Sequence, residues 1–410
     1  MENKIINSGI KNIVSILLVQ VVSLALSFLT AFILPNFLGV AQFGYWQIYL
    51  LYTSFVGVFC IGYNDGLYLR YGKYDYKDLP FYLLRSSMKL FLIMLLFLSF
   101  LMITLILIGG KSDKTFVFLI IAANIFVQGL SGTFSMVYLF TNRMKLYSVS
   151  TVLNKILLLI SILTLIVMDI HYYKAIVVAD LTIKIVVLLF NIYFCKELLF
   201  GKSNSTLLGF IEMKENMYVG ISLMIANIMG MLVLGLGNFM VERFLEIEEY
   251  GYYAFAISST NLTILFVSSV SLVLYPMLKR LPEVVIPYYY GKINIMLCII
   301  IFCMLLLYFP VYWIVKNIMP TYSPILNYLY LLFPIVVVQG KIQLLINTYY
   351  KILREEKAML KANISSVIIF LIITVPSFYI FRSVICIAIC TLITMIWRCY
   401  ASEIYLKKGN

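Results

Sequence analysis

The chain has 410 residues, of which 63% are hydrophobic and only 12% are charged. Soluble domains carry about 25% charged residues, so this composition excludes a soluble enzyme or binding module. It indicates a polytopic helical membrane protein. The net charge of +13 would suit a nucleic-acid partner, but the Lys and Arg residues lie mainly in alternate connections between apolar segments. We therefore interpret the charge as a topology signal and expect no nucleic-acid partner.

Apolar segments of about 20 residues predict about twelve membrane-spanning helices. In the first half they lie at approximately 12–35, 45–63, 86–109, 116–140, 148–168 and 174–195. In the second half they lie at 217–241, 252–276, 293–315, 327–348, 362–381 and 383–400. The expected fold is all-α, with two pseudo-symmetric six-helix bundles at 1–195 and 217–410. A polar linker at 196–216 joins them, and the positive-inside rule puts this linker and both termini in the cytoplasm.

A ten-residue sequence near the start of the first half recurs in the second half. It reads FLGVAQFGYW at Phe37–Trp46 and FLEIEEYGYY at Phe244–Tyr253, 207 positions later. Each copy follows the first span of its half, which indicates a duplicated chain. Because the charge pattern puts both copies on the external side, we interpret each as a structural corner that starts its bundle.

Ionisable residues inside apolar spans are costly and therefore mark candidate sites. Asp180 and Lys184 lie four residues apart on the sixth span, where they share a helix face and are either part of a site or a structural ion pair. Lys155 lies near the cytoplasmic start of the fifth span and either lines a site or extends to the surface. Lys341 lies deep in the tenth span, without an acidic residue three or four positions away. Its partner must come from another helix, water or a ligand.

Uncharged polar residues recur at helical spacing on several spans. They are Gln20, Ser23, Ser27 and Thr30 on the first span, Asn124, Gln128, Ser131 and Ser135 on the fourth, and Asn227 and Asn238 on the seventh. Such stripes avoid lipid, so they face either other helices or a wet cavity. Their presence in both halves favours a polar central cavity lined by Asn124, Gln128, Asn227 and Asn238.

Arg70 lies just beyond the second span, five residues after Asp65. The two residues form either a charged interfacial cap or a cytoplasmic gate that meets a phosphate. The second interpretation rests on the match between the planar guanidinium group and phosphate oxygens.

Several signatures of enzymes are missing from the sequence. The chain has no Walker P-loop, and the single His171 has no nearby Ser or Cys nucleophile. Membrane polymerases and transferases usually need clustered acidic residues or a sizeable external loop, and the sequence has neither. The seven cysteines lie in or beside apolar segments. We expect no catalytic residue, cofactor or metal site.

Two sequence patterns together resemble a known family. The motif F-L-G-x-x-x-F-G-Y-W is followed by a span that ends G-Y-N-D-G-L-Y-L-R-Y-G-K. This arrangement resembles the bacterial polysaccharide-unit flippases of the Wzx type, in the multidrug/oligosaccharidyl-lipid/polysaccharide exporter superfamily. The second copy, R-F-L-E-I-E-E-Y-G-Y-Y, and the cytoplasmic run Tyr349–Lys361 fit the same family.

The resemblance implies alternating access around a central cavity in a bacterial cytoplasmic membrane. The implied substrate is an undecaprenyl-diphosphate-linked oligosaccharide for a cell-surface polysaccharide such as O-antigen or capsule. Membrane lipids and a polysaccharide polymerase are the other implied partners. Two alternatives stay open, namely a cation-coupled multidrug exporter of the same fold and a membrane-embedded polymerase or transferase.

The resemblance also implies roles for the intramembrane charges. Cavities in this family are cationic, and Lys155, Lys184 and Lys341 match that character. We expect Lys184 and Lys341 to stabilise the diphosphate during crossing, with Lys155 and Arg70 as further diphosphate ligands. Asp180 is the candidate for coupling transport to H⁺ or Na⁺.

Overall fold

The computed structural model describes residues 22–110, 112–261, 305–346, 350 and 356–408. All regular structure in these ranges is helical. Seven of the described helices are long and apolar enough to cross a membrane, and two bent pairs of shorter helices bring the number to nine. The predicted all-α polytopic class is confirmed. The predicted spans at 12–35, 252–276, 293–315 and 327–348 lie partly outside the described residues.

The described residues from 22 to 244 contain eight α-helices. They are α1 (Val22–Leu38), α2 (Val40–Ser54), α3 (Tyr63–Tyr71), α4 (Phe81–Ile108), α5 (Thr115–Phe140), α6 (Met144–Val167), α7 (Tyr173–Phe194) and α8 (Thr206–Phe244). α8 begins inside the segment 196–216, which the sequence analysis assigns to a linker. Leu207, Phe210 and Ile211 recur there at helical spacing.

The described part of the second half contains six more helices. They are α9 (247–261), α10 (Tyr308–Asn317), α11 (Leu326–Leu332), α12 (Ile335–Lys341), α13 (Glu356–Phe381) and α14 (Val384–Lys408). α11 and α12 form one span that bends by 48°. Pro334 is at this bend, where its ring prevents regular α-helical hydrogen bonding.

The second span is broken, although the sequence predicts a continuous segment at 45–63. The chain from Val40 to Cys60 meets α3 at an angle of 59°. Ile61 and Gly62 adopt positive φ angles of 48° and 76° at the break. Hydrophobic periodicity does not reveal such backbone angles. The sequence analysis ends this span at residue 63, whereas α3 continues to Tyr71.

Glycines bring the backbones of α3 and α8 into contact. A side chain at Gly66 would overlap the backbone of Asn216, and one at Gly220 would overlap the backbone of Gly62 and Gly66. Only glycine permits this approach. α8 is therefore held tightly against the broken span.

Packing divides the chain into two compact units. The first contains the described residues up to Thr30 together with Tyr45–Ile225, and the second contains Ala31–Gly44 together with the described residues from Ala226 onward. In the first unit α5 packs against α3, α4 and α7. In the second, α14 packs along α13 and also contacts α11 and α12.

The two copies of the repeated sequence contact each other within the second unit. A methyl group on Gly44 would lie 2.8 Å from the carbonyl oxygen of Ile247, and one on Gly251 would lie 2.5 Å from that of Val40. Gly44 and Gly251 are equivalent positions of the repeat, and so are Val40 and Ile247. The contact is therefore reciprocal, as across a two-fold axis, which explains why 31–44 packs with the second unit.

We predict that the reciprocal contact requires both glycines. Gly251→Leu should lower the apparent melting temperature of the detergent-purified protein by several degrees, because overpacking a close contact costs about 1–3 kcal/mol. Gly57→Ala is the control, since nothing lies within 4 Å of a side chain added there. Equal melting temperatures for the two variants would contradict the prediction.

Candidate functional site

The core of the first unit contains the charged pair that the sequence predicts on the sixth span. Lys184 Nζ lies 2.7 Å from Asp180 Oδ2, and both residues are on α7 at i, i+4 spacing. Only 4% of Asp180 is exposed. A carboxylate at this depth is stable only with a charged or hydrogen-bonding partner, and Lys184 provides one.

Two other helices complete this cluster with neutral polar groups. The Tyr49 hydroxyl, on α2, donates to Asp180 Oδ2 over 2.5 Å. It accepts hydrogen bonds from Asn124 Nδ2 on α5 at 3.0 Å and from Lys184 Nζ at 3.3 Å. Tyr49 and Asn124 are completely buried. The four residues, which we name the α7 cluster, link three helices and carry no net charge.

The polar stripe on α5 continues beyond the α7 cluster. Asn191, at the end of α7, donates to Ser131 Oγ over 3.2 Å. The side-chain oxygens of Asn124 and Gln128 are buried and have no hydrogen-bond partner among the described residues. The predicted stripe thus contacts α7 within the first unit through Ser131, and two of its amide oxygens are unsatisfied there.

Loop contacts hold the end of α7 in place. Arg143 Nη1 donates to the Phe194 carbonyl oxygen over 3.1 Å, and its guanidinium group lies 4.1 Å from the centre of the Tyr76 ring. The Tyr76 hydroxyl donates to Glu197 over 2.8 Å. Burial raises the pKa of Glu197, but its backbone hydrogen bond, Tyr76, and the charges of Lys196 and Arg143 outweigh burial and hold that pKa below its usual range.

Lys155 occupies a different electrostatic environment. Its ammonium group, on α6, donates to Ser27 Oγ at 2.8 Å and to the Ser23 carbonyl oxygen at 3.2 Å. Both acceptors are on α1 and both are neutral. Within the described ranges no carboxylate pairs with Lys155, so its positive charge is uncompensated there. Gln20, the first residue of the α1 stripe, lies outside the described residues.

Lys341 forms an ion pair in the second unit. Its ammonium group contacts Glu403 Oε1 on α14, so the partner comes from another helix, one of the sources that the sequence analysis allows. Lys341 ends α12, and a π-helical turn, Ile342–Ile346, follows directly. Such turns occur frequently at functional sites.

Arg70 is bound by acidic residues of α8 and not by Asp65. Its two terminal nitrogens lie 2.5 Å from Glu212 Oε1 and 2.7 Å from Glu215 Oε2. A third bond of 2.7 Å goes to Asn216 Oδ1. One positive charge thus faces two negative charges, so a phosphate would have to displace a carboxylate to reach Arg70.

The two predicted cavity residues on the seventh span lie in the second unit, on α8. Asn227 is exposed, whereas Asn238 is half-buried and donates to the Leu234 carbonyl oxygen of its own helix at 3.4 Å. Neither joins a charged cluster among the described residues.

The sequence analysis missed a buried arginine in the second unit. Only 3% of Arg398 is exposed, and its Nε donates to Asn363 Oδ1 over 2.9 Å. Asn363 in turn donates to the Ala226 carbonyl oxygen over 3.2 Å. Arg398 Nη1 is buried, and no described residue forms a hydrogen bond with it. Arg398 lies two residues before the end of the predicted last span, and this position could have identified it as an intramembrane charge. The distribution of Lys and Arg along the chain instead assigned it to the cytoplasmic connections.

Three of the four predicted diphosphate-binding cations are neutralised by carboxylates, namely Lys184, Lys341 and Arg70. Lys155 is the exception, because its contacts are neutral. Among the described residues, no three His, Cys, Asp or Glu side chains come close enough to hold a metal ion. The chemistry available at these sites is therefore charge pairing and hydrogen bonding.

Sequence comparison identifies the family. The family model described as "Polysaccharide biosynthesis protein" matches residues 10–281. The chain belongs to this family. No curated protein sequence matches the chain significantly.

Solved structures with the same fold are transporters and a flippase. The lipid II flippase MurJ, in an inward closed conformation, matches with a TM-score of 0.75 and 15% identity over 96% of this chain and 87% of its own. An inward-facing multidrug-resistance MATE transporter matches with a TM-score of 0.64 and 14% identity. The match covers 95% of this chain and 98% of the transporter. A MOP-superfamily transporter from Pyrococcus furiosus matches with a TM-score of 0.52 and 14% identity. The match covers 97% of this chain and 94% of the transporter. The family match confirms the expected relationship to the polysaccharide exporters, and at these identities the solved structures establish the fold alone.

We predict that Asp180 and Lys184 of the α7 cluster stabilise the first unit only when both are present. Asp180→Asn should lower the yield and melting temperature of the protein strongly, because breaking a buried pair costs about 3–5 kcal/mol. The double variant Asp180→Asn with Lys184→Met should be more stable than the single variant, since it leaves no unpaired charge. Thermal melting in detergent checks this order, and a double variant less stable than Asp180→Asn would contradict it.

Proposed function

We propose that this member of the polysaccharide biosynthesis family is a flippase. It moves an undecaprenyl-diphosphate-linked oligosaccharide from the inner to the outer leaflet by alternating access. The family match over residues 10–281 carries the proposal. The shared fold with a lipid II flippase supports it, because that protein's substrate is also a lipid.

Within this proposal, Lys155 is the first cation to meet the diphosphate. A diphosphate is strongly anionic and needs positive charge to cross the low-dielectric region. The contacts of Lys155, the Ser23 carbonyl oxygen and Ser27 Oγ, are neutral, so no carboxylate among the described residues competes with the diphosphate for it. Lys184, Lys341 and Arg70 contribute only after their carboxylate partners move or accept protons.

The α7 cluster provides a route for coupling to protons. If Asp180 accepts a proton, its carboxylate no longer neutralises Lys184, and Lys184 becomes available to the diphosphate. Restoring the ion pair requires loss of that proton, so protonation of Asp180 and binding of the anion by Lys184 are linked. This mechanism retains Asp180 as the coupling residue and favours H⁺ over Na⁺, because Lys184 already occupies the cation position beside the carboxylate.

We further propose a bacterial cytoplasmic membrane location with both termini in the cytoplasm, which the distribution of Lys and Arg supports. A polysaccharide polymerase would consume the product on the outer side. The proposed product is O-antigen or capsule, and the protein has no enzymatic role in making it.

A multidrug exporter is the second candidate, since MATE transporters share the fold. Binding of cationic drugs requires exposed negative charge. Asp180 and Glu403 are each neutralised by a lysine, whereas Lys155 has no carboxylate partner among the described residues, which favours an anionic substrate instead.

We predict that a strain lacking this gene loses surface polysaccharide and regains it with the wild-type protein or with Lys155→Arg. Lys155→Gln should restore about a tenth or less of the polysaccharide, since one charge contact to an anion at low dielectric is worth about 1–3 kcal/mol. Immunoblotting of surface polysaccharide measures the effect.

Lys145→Gln is the matched control, because Lys145 is an exposed lysine on the same helix. Membrane levels of all variants must be equal. Normal polysaccharide in the deletion strain, together with increased drug susceptibility, would overturn the flippase proposal in favour of the exporter. Accumulation of unpolymerised repeat units on the outer surface would indicate a polymerase.

A further inference from the structure

Three helices of the second unit, α8, α13 and α14, enclose a guanidinium group whose hydrogen bonds are incomplete. Arg398 is 3% exposed, and among the described residues its one hydrogen bond goes to the neutral Asn363. A guanidinium group has five N–H donors, so the bond from Nε leaves four of them. Nη1 is buried, and no described residue accepts a hydrogen bond from it. Because a buried charge in this condition is costly, a further partner is expected.

The space next to Gly230 of α8 is bordered by nitrogen donors. A methyl group at Gly230 would lie 3.1 Å from Arg398 Nη2 and 3.3 Å from Asn363 Nδ2. Outside the local backbone of α8, the next atom is Asn363 Cγ at 3.9 Å. Asn363 Nδ2 carries two N–H groups, and the Ala226 carbonyl oxygen accepts a hydrogen bond from this nitrogen. Two donor nitrogens, one of them charged, therefore lie around a space that glycine leaves without a side chain, and such an arrangement suits an anion.

The charges of the second unit favour an anion that carries a single negative charge. Lys341 and Glu403 neutralise each other, whereas no carboxylate of a described residue pairs with Arg398. A monovalent anion would balance Arg398, but a doubly charged phosphate would leave a buried excess of negative charge. The burial of Arg398 also favours a small ligand, because a larger group would have to separate helices that are in contact.

We propose that Arg398 and Asn363 bind a small monovalent inorganic anion, chloride or bromide, beside Gly230. The anion completes hydrogen bonds of Arg398 and links α8 to α13 and α14. It is a resident ligand of the second unit and not the transported molecule, so the inference goes beyond the proposed function.

Thermal melting of the full-length purified protein tests the proposal, with chloride and gluconate salts compared at constant ionic strength and pH. Gluconate is also monovalent but is too large for the enclosed site. An anion that binds only the folded protein raises its melting temperature as the concentration of the anion increases. We expect the wild-type protein to melt several degrees higher in chloride than in gluconate. Bromide should act like chloride, and phosphate should act like gluconate.

Arg398→Met should remove most of the difference between chloride and gluconate, since it removes the positive charge and keeps an unbranched side chain. Arg382→Met is the matched control, because Arg382 is exposed between α13 and α14, the two helices that carry Asn363 and Arg398. The control should retain the full difference.

Gly230→Ala provides a second measurement in case Arg398→Met does not fold. This variant keeps the charge and places a methyl group in the space beside it. It should raise the chloride concentration for half of the stabilisation about tenfold, because one charge-assisted hydrogen bond is worth about that factor. Gly57→Ala is its control, since nothing lies within 4 Å of a side chain added there.

Three results would overturn the proposal. One is an equal effect of chloride on the wild-type protein and on Arg398→Met. Another is a wild-type melting temperature that is the same in chloride and in gluconate. The third is a rise in phosphate equal to the rise in chloride, because it would exclude a site selective for small monovalent anions.

Discussion

The rest of this structure depends on one constraint, that hydrocarbon offers no water to charged side chains. A buried carboxylate without a partner costs several kcal/mol, so charged groups within spans must find partners in the protein. The α7 cluster meets this requirement through three helices, with Lys184, Tyr49 and Asn124 all arranged around Asp180. The same requirement pairs Lys341 with Glu403 in the second unit. Hydrogen bonds to the Asp180–Lys184 pair thus link three helices in the first unit, and the Lys341–Glu403 ion pair links two in the second.

Cations without a carboxylate partner are informative because an unpaired charge is costly in hydrocarbon. Among the described residues, Lys155 and Arg398 have only neutral partners, Ser23 and Ser27 in one case and Asn363 in the other. An uncompensated cation in a low-dielectric region attracts an anion more strongly than a cation already in an ion pair. A transporter of a lipid diphosphate needs such a cation, and Lys155 is on the helix that contacts the polar stripe of α1.

Local features of the site could be predicted from the sequence, and features that depend on packing could not. Composition and segment length predict the fold class, and i, i+4 spacing predicts the pair of Asp180 and Lys184, because helix geometry alone brings them together. Tyr49 and Glu403 come from distant parts of the chain, so no local pattern points to them. The repeat shows that Gly44 and Gly251 are equivalent, but equivalence does not imply that the two copies touch. Their contact becomes visible only in the packed structure.

The central claim is that fixed positive charge carries a lipid diphosphate across the membrane. Leaflet exchange in vesicles reconstituted with the protein tests it directly, with two fluorescent substrates that share one oligosaccharide. One carries it on undecaprenyl diphosphate, and the other carries it on an uncharged lipid. The account predicts that the protein accelerates exchange of the diphosphate substrate well above that of the neutral one, and more strongly with an imposed proton gradient. Equal acceleration of both substrates, or no acceleration over protein-free vesicles, would contradict it.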